Sequence, residues 1–184
     1  MNLLSVFCRL AAPAFLALLC YTCATAPASR RHNSDPSLFI LADARLNTSL
    51  QCTRNGNNWV VSGGAAEHYL ALVADDFKQQ RQGGIREVLV EFSPDYTKGT
   101  LTGIATDLHG ARLPLGAVFA FKGRSGDTLT MAAPIRHRCV GVRCSCCVFV
   151  KDADGTIRGC RCDPADGCAA EGDTSRYCSH GISN

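Results

Sequence analysis

The sequence predicts an α+β fold: one long helix packed on an antiparallel β-meander, followed by a small cysteine-rich β-hairpin tail. Three observations predict it. Apolar residues recur at helical spacing between Ala65 and Gln82. Downstream of them, short apolar runs alternate with turn signals. Finally, eight of the twelve cysteines fall in the last 46 residues, where few large apolar side chains exist to offset chain entropy by burial.

Residues 1–28 read as an export signal. Leu10 to Ala28 carries no charge and ends in small residues, with cleavage points after Ala24, Ala26 or Ala28. Two alternatives stand beside it. The stretch is long enough for a membrane anchor, with Pro13 and its weakly apolar end against that. Cys20 or Cys23 could carry a lipid, although Leu19 and Thr22 occupy the places where a small residue is favoured. All three readings put the body outside the cytoplasm, in a secreted, periplasmic or cell-envelope location. Membrane contact is expected only through this N-terminal segment. Residues 29–36, polar and proline-bounded, form a linker.

Residues 37–135 are expected to form the α+β domain, a length that suffices for one core. Leu38 to Leu46 suits a strand. Asn55-Gly56-Asn57-Asn58 marks a turn between the Cys52 region and the short run Trp59-Val60-Val61. Gly63-Gly64 breaks the chain, with Ser62 as a cap. The helix follows over Ala65–Gln82, its stripe made of Ala66, Tyr69, Leu70, Val73 and Phe77, and Gly83-Gly84 supplies the stop. Strands are then expected over Ile85–Phe92, Thr100–Asp107, Leu115–Phe121 and Thr128–Ala132, joined by short turns that imply antiparallel neighbours. This order of strand, helix and several strands resembles the cystatin-like architecture in topology alone. The Q-x-V-x-G motif of cystatin-type protease inhibitors is absent, since the corresponding stretch reads Ser93-Pro94-Asp95-Tyr96-Thr97-Lys98-Gly99. The resemblance therefore implies a layout and no inhibitory activity.

Residues 136–184 form the cysteine-rich C-terminal extension, with Cys139, Cys144, Cys146, Cys147, Cys160, Cys162, Cys168 and Cys178. An Asp154-Gly155 turn flanked by β-branched and aromatic residues predicts a hairpin. With a three-residue Ala153-Asp154-Gly155 loop, Asp152 pairs with Thr156, Val148 faces Cys160, and Cys146 faces Cys162 closely enough to bridge. Cys144, Cys146, Cys160 and Cys162 then share one face. With a two-residue loop, Cys147 faces Cys162 instead. Export favours disulfides for these thiols. Zinc or copper held by the two C-x-C pairs is the alternative, with His137 and His180 two residues from Cys139 and Cys178. Signal removal leaves nine cysteines, and Cys52 is the odd one out, a small apolar side chain.

The formal charge of +3 and pI near 8.3 are mild. Lys and Arg are scattered apart from small clusters such as Arg136-His137-Arg138, and no basic run interleaves with aromatics, so no nucleic-acid partner is expected. Asp152 to Gly155 fails as a calcium loop, because Val150 and Arg161 stand where its first and last ligands would be. Asn47-Thr48-Ser49 fits a glycosylation acceptor. His68 and His109 are the candidate catalytic bases, and no nucleophile is identifiable for either. The expectation is thus an exported binding or structural protein with no catalytic activity and no cofactor, its ligand an unidentified protein or small molecule. Metal binding through the tail thiols is the alternative function.

Overall fold

Strands dominate the described residues. The structure, a computed structural model, describes residues 35–61, 64–163 and 175–184. The export signal, nearly all of the linker, the Ser62 cap and Cys168 lie outside the described residues. Within the unit Pro36–Asn184, the elements are β1 (Leu38–Asp43), β2 (Thr48–Asn55), β3 (Asn58–Val61), α1 (Ala65–Asp76), β4 (Gln82–Phe92), β5 (Lys98–Thr106), β6 (Arg112–Ser125), β7 (Thr128–Val142), β8 (Cys147–Lys151), β9 (Ile157–Cys162) and β10 (Tyr177–Ser183). The large sheet runs β3-β2-β1-β7-β6-β5-β4, with β10 also on β7, and β8-β9 pair separately. Its curl makes it a near-closed, barrel-like sheet.

The expected α+β fold with a long helix on a meander is therefore overturned: the described residues are mostly β, with one short helix among them. Two causes are visible. The helix stops at Asp76, well before Gly83-Gly84. Lys78 takes a left-handed conformation at φ 53°, and the N–H groups of Lys78 and Gln79 bond back to Asp75 and Ala74, each at 2.8 Å. Arg138 on β7 reinforces this stop. Its guanidinium lies 5.1 Å over the Phe77 ring and donates to Gln79 Oε1 at 2.6 Å. The second cause is long-range. β1 pairs in parallel with β7 from Leu38↔Thr128 to Leu41↔Met131, which joins the β1–β2–β3 hairpins to the β4–β7 meander as one surface.

The helix packs on the inner face. Tyr69, Leu70, Val73 and Ala74 are buried against Leu101, Leu113, Leu115 and Phe119 in one core. Beside them Phe39 stacks on Phe92 at 3.6 Å between centroids and meets Trp59 edge-on at 4.4 Å. On the outer face lies the β8-β9 hairpin. Lys98 Nζ donates to Asp154 Oδ2 at 2.7 Å and to Thr156 Oγ1 at 3.0 Å, and Thr100 donates to the Gly155 carbonyl at 3.1 Å. Buried Ile157 comes down over Gly116, where an added Cβ would meet its Cδ1 at 3.1 Å. Covered on both sides, the middle of β5 and β6 is buried without alternation. That is the pattern expected of a strand with no solvent face.

Candidate functional site

β7 positions the site because its outer edge is shared. β1 occupies that edge over Thr128–Met131, and β10 occupies it in the opposite direction over Arg136–Val142. Ala132 to Ile135 lie between the two partners. Here the register with β6 shifts between Val118 and Ala120, Ala133 adopts φ 51°, and Pro134 has no N–H that would need an acceptor. Bulges of this kind open a sheet locally and re-aim side chains.

A cavity of about 810 Å³ opens at this gap. Ala42, Ala44, Ala120, Phe121, Ala132 and Pro134 supply its apolar wall, while Asp43, Arg45, Lys122 and Arg136 bring charge. Phe121 is half exposed. At the floor stands a buried ion network. Asp43 Oδ2 accepts from Tyr69 Oη at 2.9 Å and lies 3.4 Å from Arg136 Nε. Asp43 Oδ1 accepts from the N–H groups of Arg45 and Leu46 at 3.0 and 3.1 Å. Asp76 takes Arg45 Nη2 at 2.7 Å and Ser183 Oγ at 2.7 Å, and lies 3.8 Å from Arg136 Nε. Burial, followed by the Asp43 charge, drives the Tyr69 hydroxyl far above its ordinary pKa, so it stays a donor.

Arg136 is 1% exposed, and its Nη1 has no hydrogen-bond partner among the described residues. A buried guanidinium nitrogen without an acceptor is costly. Sequence reasoning placed Arg136 in a small basic cluster and Asp43 in an apolar run, and so missed both. The available signal was phase: Phe39, Leu41 and Asp43 occupy alternate positions of β1 and all are buried, so the aspartate stands where the strand demands an inward side chain.

Of the residues weighed as bases, His68 and His109 are both exposed and line no part of this cavity. His137 and His180 do meet. Their rings are parallel with centroids 5.1 Å apart, and Nδ1 of the first lies 3.0 Å from Nε2 of the second. Burial, then the neighbouring ring's charge, lowers His137 to about 4.

The tail cysteines form the disulfides Cys139–Cys160, Cys144–Cys162 and Cys147–Cys178, closing separations of 21, 18 and 31 residues. Cys146 is disulfide-bonded as well. The hairpin combines both expected registers. Its loop is the three-residue one, with Asp152 N–H bonded to the Thr156 carbonyl at 2.9 Å and Gly155 at φ 80°. A bulge at Arg158 then consumes one residue, so Cys147 faces Cys162 and Phe149 faces Cys160. The face expected to carry Cys144, Cys146, Cys160 and Cys162 is therefore not assembled, and Cys162 bridges to Cys144 rather than Cys146. Cys52 is unpaired and fully buried, and burial pushes its thiol up to about 12. Compared with protein-family models, curated proteins and solved structures, the chain finds no match.

Proposed function

We propose that this is an exported, non-catalytic binding protein whose β7 cavity takes a small molecule with an apolar body and an acidic head. The observation that carries this reading is the β7 cavity itself, where an apolar wall of Ala42, Ala44, Ala120, Phe121, Ala132 and Pro134 is joined by the cationic residues Arg45, Lys122 and Arg136. Volume and composition fit a small-ligand site, which is apolar overall with a few convergent polar groups. The sign of charge follows from engagement. Asp43 is already held by Tyr69, two backbone N–H groups and Arg136. Arg45 and Arg136 are likewise paired with Asp76 and Asp43, so the cavity's remaining charge is that of Lys122, which has no ion pair among the described residues and to which a carboxylate would give a charge-assisted acceptor. Disulfides suit an extracellular or periplasmic setting. The non-catalytic part rests on the exposed positions of His68 and His109, away from the cavity.

Calorimetry with a medium-chain fatty carboxylate and its primary alcohol tests this. The carboxylate is expected to bind once per chain, about tenfold or more tighter than the alcohol, a difference of ~1.4 kcal/mol. Ala132→Trp, which fills the cleft, should abolish binding of both. Equal affinities for acid and alcohol, or binding that survives Ala132→Trp, would overturn the reading.

A further inference from the structure

We propose that Cys144, Cys147, Cys162 and Cys178 form a thiolate site for zinc, occupied when the two disulfides among them are open. This rests on the geometry of the tail and is independent of the β7 cavity. The four sulfurs arrive from separate places: Cys144 from the turn after β7, Cys147 from the start of β8, Cys162 from the end of β9 and Cys178 from β10. Sulfurs of different bridges nevertheless touch. Cys144 lies 4.0 Å from Cys147 and 3.6 Å from Cys178, and Cys178 lies 3.9 Å from Cys162. A tetrahedral zinc with Zn–S bonds of about 2.3 Å has S···S edges of about 3.8 Å. Three of the four edges between the bridges thus already have the length a tetrathiolate needs. The fourth joins Cys147 to Cys162, which are directly opposed in the hairpin. That edge must shorten, because the sulfurs already within 4.8 Å of one another are those of Cys144, Cys147 and Cys178, and the two edges that are now bonds must lengthen.

Two further features favour this set over the other tail cysteines. Cys144-Ser145-Cys146-Cys147 gives the first and last of these residues the C-x-x-C spacing of structural zinc sites, which the C-x-C reading of the sequence passes over. Cys144 and Cys147 are buried at 4% and 0% exposure, so an ion there is screened from water. Gly141 completes the turn that brings Cys144 inward, since a Cβ at that position would stand 1.7 Å from the Cys144 carbonyl oxygen. Cys139–Cys160 is different in kind: its sulfurs face backbone carbonyls, of Val148 at 3.9 Å and Arg138 at 3.7 Å.

The chemistry balances with a small dithiol as reductant. Each of two dithiol molecules gives two electrons and two protons, opens one bridge by exchange and leaves as its cyclic disulfide. Four thiols result. Zinc(II) then displaces their protons to give a tetrathiolate.

The test is a cobalt(II) titration of the full-length chain, reduced with a dithiol and freed of it under nitrogen, followed by zinc(II). One cobalt per chain is expected, with the strong visible and sulfur-to-cobalt absorption of a tetrahedral tetrathiolate, displaced by one zinc. The oxidised chain should show none of this absorption. Cys178→Ser should lose the tetrathiolate spectrum, while the double variant Cys139→Ser/Cys160→Ser should keep it with the same one-to-one end point. An absent spectrum in the reduced chain overturns the proposal, whether or not any variant folds. So does a spectrum that survives Cys178→Ser but disappears in the double variant.

Discussion

Tyr69 shows how much one side chain can hold in this molecule. It belongs to the apolar stripe of α1 and is 1% exposed, yet its hydroxyl donates to Asp43 in the floor of the cavity. Removing only that oxygen leaves the ring in place beside Phe119, 5.7 Å away between centroids, while Asp43 loses one of its donors. A buried acceptor deprived of a partner costs about 1–3 kcal/mol. Tyr69→Phe should therefore lower the free energy of unfolding by that amount, read as a lower denaturant midpoint with an unchanged slope. An effect below about 0.5 kcal/mol would mean that the Asp43–Arg136 pair does not depend on the hydroxyl. Arg136 was invisible in the sequence for a related reason. A charge inside a barrel is stabilised by partners distant along the chain, here Asp43 and Asp76, and no local pattern announces such partners.

At the level of elements, legibility divides by range. The helical stripe of Ala66, Tyr69, Leu70 and Val73 was readable because its period is local, and those residues are buried. The expected strands Ile85–Phe92, Thr100–Asp107 and Leu115–Phe121 overlap β4, β5 and β6, again from local alternation and turn chemistry. The early end of α1, the parallel β1–β7 pairing and the addition of β10 were not readable. Each is set by contacts between distant segments, such as Arg138 with Gln79. The hairpin falls between these cases: Gly155 fixed the loop, but the Arg158 bulge changed which cysteines face each other. Gly141 is the element-scale position most open to test. It stands one residue before the end of β7 with Cys144 folded back against it, and its neighbour is a backbone oxygen rather than a flexible side chain. Gly141→Ala should thus displace Cys144 and prevent the Cys144–Cys162 bridge while leaving Cys139–Cys160 formed. Thiol counting with peptide mapping should find Cys144 and Cys162 alkylatable in the variant alone. A fully bridged Gly141→Ala chain would show that the turn tolerates the shift.

Across the whole molecule, β10 ties together parts that are remote in sequence. It completes the outer edge of β7, is bonded to the hairpin through Cys147–Cys178, and reaches the ion network through Ser183 and Asp76. The cavity, the cysteine module and the end of the barrel edge therefore share one strand. His137 and His180 sit at this seam, and their contact makes it sensitive to acid. His137 titrates near 6.5 when unfolded and near 4 in the folded protein, because burial and the adjacent His180 disfavour its charged form. Between those values the unfolded chain binds more protons, so stability rises with pH. The contribution is fully present above about pH 6.5, is lost as pH falls toward 4, and changes no further below that. It amounts to on the order of 2 kcal/mol, allowing for partial solvent screening of the pair. Chemical denaturation at pH 7, 5.5 and 4 should show this decline, and His137→Gln, which does not titrate, should flatten it. An equal decline in both proteins would show that the acid sensitivity does not arise at His137.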